Sequence, residues 1–106
     1  MLEKFFGQKS EAQKVRELSK IAANEFRIGV NGPAMYMAFQ AMQEKNKEGG
    51  YGFTNNFLLN LVRDCAFGNA TEIENSMMGG RGQVEANINY EIENLRQGLS
   101  PEERGR

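Results

Sequence analysis

Histidine is missing from this chain of 106 residues. That removes Ser-His-Asp and Cys-His nucleophile arrangements, and with them imidazole ligation of a metal. Cysteine is nearly missing too: a lone Cys65 can form neither an internal disulfide nor a Cys₄ zinc site, and a reducing, cytoplasmic setting fits best. No apolar run approaches the ~20 residues that a membrane span needs. The first residues, Met-Leu-Glu-Lys-Phe-Phe-Gly, are too short and too charged for a signal peptide, so the sequon at Asn69-Ala70-Thr71 reads as chance. Net charge is −1, which gives no single-sign excess to draw the chain to DNA or a membrane surface. No internal repeat and no cofactor motif stand out.

The residues present describe a folded domain. A hydrophobic fraction of 40% and a charged fraction of 25% are those of a globular protein rather than a disordered one, and the length suits one domain. We expect a single helical domain over residues 1–99 and a frayed tail over 100–106. Charge is unevenly spread: residues 1–53 hold eight Lys and Arg against six Glu, and residues 54–106 hold five Arg against eight Asp and Glu. Two solvated faces explain this as well as head-to-tail attraction between subunits does.

Hydrophobic spacing predicts an all-α fold of about four main helices. The centre is Thr54–Gly68, the most apolar stretch, where Phe57, Leu58, Leu61, Val62 and Cys65 make a core-facing stripe. Thr54 is placed to cap it and Gly68 to end it. Before it, Ser10 and Gln13 form a capping-box pattern ahead of a helix with Ala12, Val15, Leu18, Ile21, Ala22, Phe26 and Ile28 as its apolar series, closed by Gly29. Asn31-Gly32 makes a turn and Pro33 opens the next helix, with Met35, Ala38, Phe39 and Met42 on one face. Tyr36, Met37 and Ala41 add apolar surface beyond that face. After Gly68, Thr71 and Glu74 suggest a short separate helix ending at Gly79. Residues 83–97 fit both a strand and a helix: Val84, Ala86, Ile88, Tyr90 and Ile92 alternate, yet Val84, Ile88, Ile92, Leu95 and Leu99 share a helical face. The helix is preferred because the apolar series continues through Leu95 to Gly98, the segment is long for a strand, and no second strand exists to pair with it. Tyr90 then faces away from the core.

Catalysis finds little support. Glu72/Glu74 and Glu91/Glu93 are carboxylate pairs at i, i+2, which diverge on a helix. Glu85, Asn89 and Glu93 read as a solvated stripe, Arg63 and Asp64 as a surface ion pair, and Cys65 as a small core residue without a cation to activate it. We expect no enzyme.

Two glycine-rich segments are the candidate sites. Gly79, Gly80, Arg81 and Gly82 precede a helix, and such amides can face an anion, although the segment lacks the Lys-Ser/Thr of a P-loop. Gly49-Gly50-Tyr51-Gly52-Phe53 carries Tyr51, which could stack on a base or enter a protein pocket. A plain loop, with Phe53 stapled onto Phe57, explains it equally. Phe5, Phe6, Tyr36, Met37, Met78 and Tyr90 exceed what a small core can cover and point to a homo-oligomer, most simply a two-fold dimer. The leading functional expectation is a non-catalytic intracellular inhibitor or adaptor that occupies a macromolecular partner's surface. The alternatives are a binder of an anionic metabolite or nucleotide at Arg81 and Tyr51, and a weak nucleic-acid-binding regulator using Lys14, Arg16, Lys20 and Arg27.

Overall fold

A computed structural model describes residues 9–74 and 81–99 of the chain. Among these residues there are four helices and no strand: α1 (Glu11–Glu25), α2 (Gly32–Gly49), α3 (Asn55–Glu74) and α4 (Arg81–Gln97). None is long and apolar enough to cross a membrane. Helix α1 packs on α2, both pack on α3, and α4 lies mainly on α3 with a smaller contact to α2.

Each start signal works locally. The Ser10 hydroxyl accepts from the Gln13 amide at 3.2 Å, and the Gln13 side chain accepts from the Ser10 amide at 2.8 Å, completing the capping box. Asn31 caps α2 by accepting from the Ala34 amide at 2.9 Å, ahead of Pro33. Thr54 caps α3, its hydroxyl accepting from the Phe57 amide at 3.0 Å. Free amides at a helix start need such acceptors, and each cap is worth about 1 kcal/mol.

Three boundaries differ from the sequence expectation. Helix α1 stops at Glu25, with Phe26 as its C-cap, so Ile28 leaves the helical series and stands 89% exposed. Ala12 is exposed as well. Gly68 does not end α3, and the turn at 71–74 is its continuation rather than a separate helix. A glycine permits a left-handed stop without requiring one. Here Ala66 and Ala70 are buried on either side of Gly68, so packing carries the helix through. The buried face of α3 is also turned from the expected stripe. Leu58, Leu59, Val62, Ala66 and Ala70 are buried, Leu61 and Cys65 are partly buried, and Phe57 is exposed.

The core joins this face to Leu18, Ala22 and Phe26 of the first segment, to Met35, Ala38, Phe39 and Met42 of α2, and to Ile88 and Ile92 of α4. The α2 face matches the expected one residue for residue. The segment at 83–97 is helix, with Val84, Leu95 and Leu99 partly buried beside the core. No polar or charged residue is buried among the described residues.

Candidate functional site

Tyr51 is a fixed part of the core edge rather than a free aromatic. Gly50 ends α2 in the left-handed region at φ 62°, and Gly52 follows at φ 79°, so the chain reverses in a space that suits glycine. The reversal lays the Tyr51 ring over Gly49: a Cβ there would stand 2.8 Å from Cδ1 and 2.9 Å from Cζ. Tyr51 is only 9% exposed. Its hydroxyl donates to Glu17, Lys9 donates to that hydroxyl at 3.4 Å, and Lys9 and Glu17 pair at 2.6 Å. Lys9 and Lys14 approach the ring at 5.9 and 5.6 Å from its centroid, a distance at which the ring quadrupole attracts a cation. The hydrogen bonds from Lys9 and then Tyr51 hold the Glu17 carboxyl below its ordinary value. Those to Glu17 and then Tyr51 hold the Lys9 amine above its own.

The rest of this loop is equally committed. The Asn46 side chain donates to the Phe53 carbonyl and accepts from the Phe53 amide, both at 3.0 Å. Phe53 stacks on Phe57 at 4.7 Å between centroids, as the stapled-loop reading has it. The Tyr51 ring and hydroxyl are thus engaged within the subunit.

Of the second glycine-rich segment the structure describes the backbone at 81–82, the start of α4, which lies far from Tyr51. Tyr51 precedes the start of α3, and Arg81 follows its end. A helix of 20 residues spans about 30 Å. Helix α4 runs back along it, with Arg96 reaching Asn60 at 3.4 Å, so the start of α4 lies at the far end. Gly82 has nothing within 4 Å of where its Cβ would be. Gly79, Gly80, Met78, Phe5 and Phe6 lie outside the described residues, as does the tail at 100–106.

The exposed apolar residues stand where helical spacing put them. Tyr36 and Met37 are neighbours on the outer face of α2, each 48% exposed, and Tyr90 is 66% exposed on α4. The Tyr36 hydroxyl accepts from Gln40 at 2.7 Å. Beside Met37, a shallow depression of about 310 Å³ is lined by Glu25, Gln40, Ala41, Gln43 and Glu44.

Sequence reasoning missed the larger recess, a groove of about 550 Å³ between the α1–α2 turn and α4. Ile28, Val30, Met35, Ala70, Val84 and Ile88 make it apolar, while Asn31, Asn87 and Glu91 add polar atoms. Its volume lies within the range of pockets that take small ligands or side chains. Glu91 brings its one charge. The carboxylate lies against the first residue of α2, where a Cβ on Gly32 would stand 2.6 Å from Oε2. The unpaired amides and dipole of a helix start favour an anion there. No cation pairs with Glu91 among the described residues. The one signal in the sequence was Ile28, an isoleucine beyond the end of α1 with no helical face to join.

No convergent set of three or more Cys, Asp or Glu occurs among the described residues. Arg63 and Asp64 form the expected neighbour pair, at 3.7 Å. Burial pushes the Cys65 thiol above its ordinary value, against a smaller opposing hydrogen bond with Ser19, which leaves little thiolate at neutral pH. On α1, Lys14 pairs with Glu11 at 3.6 Å and Lys9 with Glu17, which dilutes the basic face. Compared with protein families, curated proteins and solved structures, the chain matches none.

Proposed function

We propose that this is a non-catalytic intracellular binding protein, an inhibitor or adaptor that acts as a homo-oligomer by occupying the surface of a protein partner. The observation that carries the reading is the pair Tyr36–Met37, two large side chains half exposed at consecutive positions of α2, with Met37 lining the depression beside Gln40 and Ala41. Aromatic residues and Met are over-represented where proteins meet, and Met adapts to the surface it is offered. Both side chains leave the core at Met35, Ala38, Phe39 and Met42 intact, so they are free to be used.

The anionic-ligand alternative draws less support, because Tyr51 is occupied and the one charge in the large groove is negative. Native mass spectrometry of the protein purified from its own host tests the choice. A protein partner retained by the wild type and lost from a Tyr36→Ala/Met37→Ala variant of unchanged melting temperature is the expected result. Retention of that partner by the variant, or retention of a nucleotide instead, would overturn the reading.

A further inference from the structure

The groove beside α4 and the bend at its rim are complementary to each other. The groove offers apolar walls and one carboxylate, Glu91, with no cation opposite it among the described residues. An occupant that satisfies both features presents an aliphatic side chain next to a positive charge. The bend after α1 presents that combination: Ile28 is 89% exposed and Arg27, its neighbour, is exposed and has no ion pair among the described residues. Ile28 cannot enter its own groove, because it already stands on the rim.

We propose that the groove seats the Arg27–Ile28 bend of a second copy of this chain, so that two copies close on each other about a two-fold axis beside the bend. Ile28 of each copy enters the other's groove, against Val30, Met35, Val84 and Ile88, and Arg27 reaches the other's Glu91. The same surface supplies both the knob and the socket, which makes the contact isologous, and such a contact closes at two rather than growing into a chain. The pairing rests on the homo-oligomer part of the proposed function and is independent of the Tyr36–Met37 face, which each dimer would then offer twice. The interface is small, at or below the ~1,200 Å² of standard complexes, and we expect a dissociation constant on the order of 10 μM, or about −7 kcal/mol.

Sedimentation equilibrium of the full chain from 1 to 200 μM tests this. The wild type is expected to dimerise. Ile28→Ser, a change at a side chain outside the core, is expected to weaken the dimer at least tenfold with no loss of helicity. Arg27→Glu and Glu91→Arg should each do the same by setting like charges together, and the double variant Arg27→Glu/Glu91→Arg should return to within about threefold of wild type. A wild type that stays monomeric at 200 μM overturns both the homo-oligomer reading and this interface. A dimer indifferent to Ile28→Ser and Arg27→Glu overturns the interface alone. If Glu91→Arg loses helicity, Ile28→Ser and Arg27→Glu still decide the matter.

Discussion

The two ends of α3 are built on opposite terms. At its N-terminal end every conspicuous group has a partner inside the subunit. Tyr51 is tied to Glu17 and Lys9, Asn46 brackets Phe53, Phe53 stacks on Phe57, and Thr54 caps the helix. At its C-terminal end, where Ala70 meets the α1–α2 turn and α4, an apolar groove stands open, with Ile28 bare at its rim and Glu91 lacking a cation among the described residues. A glycine- and aromatic-rich loop looks like a binding site in sequence because glycine allows close approach and aromatics carry contact energy. In this fold the close approach is by the chain itself. At the quieter end the groove and Ile28 stay open to solvent.

The contrast predicts a gradient of mutational cost. Tyr51→Ala should have the largest effect, lowering stability by about 3 kcal/mol in urea unfolding, since it empties a buried aromatic site and leaves Glu17 and Lys9 without their shared partner. Asn46→Ala should cost about 2 kcal/mol by the same measurement, because the Phe53 amide and carbonyl both lose their acceptor and donor. Gly50→Ala forces a Cβ into the left-handed region and should cost about 1 kcal/mol. At the open end, Ile28→Ser should change the unfolding free energy by less than about 0.5 kcal/mol at sub-micromolar concentration, where copies do not meet. If Ile28→Ser proved as costly as Asn46→Ala under those conditions, the open end would be part of the monomer's own core and the contrast would fail.

The pH response sharpens the same point with a smaller effect. Glu17 has its carboxyl held below the ordinary value of 4.5. Its contribution is therefore fully present above that value and is lost as pH falls through the lowered one. Lys9 is held above 10.5, so its contribution is present below that value and is lost as pH rises through the raised one. The Lys9–Glu17–Tyr51 cluster should thus hold across the neutral range. Below about pH 4.5 the wild type should lose more melting temperature than Glu17→Gln does, in a scan at low salt. Equal acid sensitivity would show that the cluster does not lend stability.

Much of the fold was legible in the sequence because its signals are local. Ser10 with Gln13, Pro33 and Thr54 each act within four residues of themselves, and the Met35, Ala38, Phe39 and Met42 face follows from helical spacing alone; Asn31, read as part of a turn, proved to be the cap of α2. The preference for helix over strand at 83–97 rested on the apolar series running on past Leu95, on a length unusual for a strand and on the missing partner strand, and the segment is helix. The errors were at positions decided by distant packing. Gly68 was read as a stop because a glycine after an apolar run often is one, but the burial of Ala66 and Ala70 overrode it. Phe57 was assigned to the core by its spacing with Leu61 and Cys65, whereas Leu59 is buried and Phe57, stacked on Phe53, is exposed. The partners of Tyr51 could not be read, since Glu17 and Lys9 are 34 and 42 residues away in sequence. The groove was invisible for the same reason: it forms where residues 28–32, with Met35 and Ala70, face residues 84–91, and nothing in either segment names the other.

The central claim is that association belongs to the C-terminal end of α3 and not to the glycine-rich loop at its start. Amide hydrogen exchange of the full chain at 1 and at 200 μM tests it most directly. We predict added protection at the higher concentration over residues 27–32 and 84–91, with residues 46–57 unchanged. Added protection at 46–57 with none at 27–32 would contradict it.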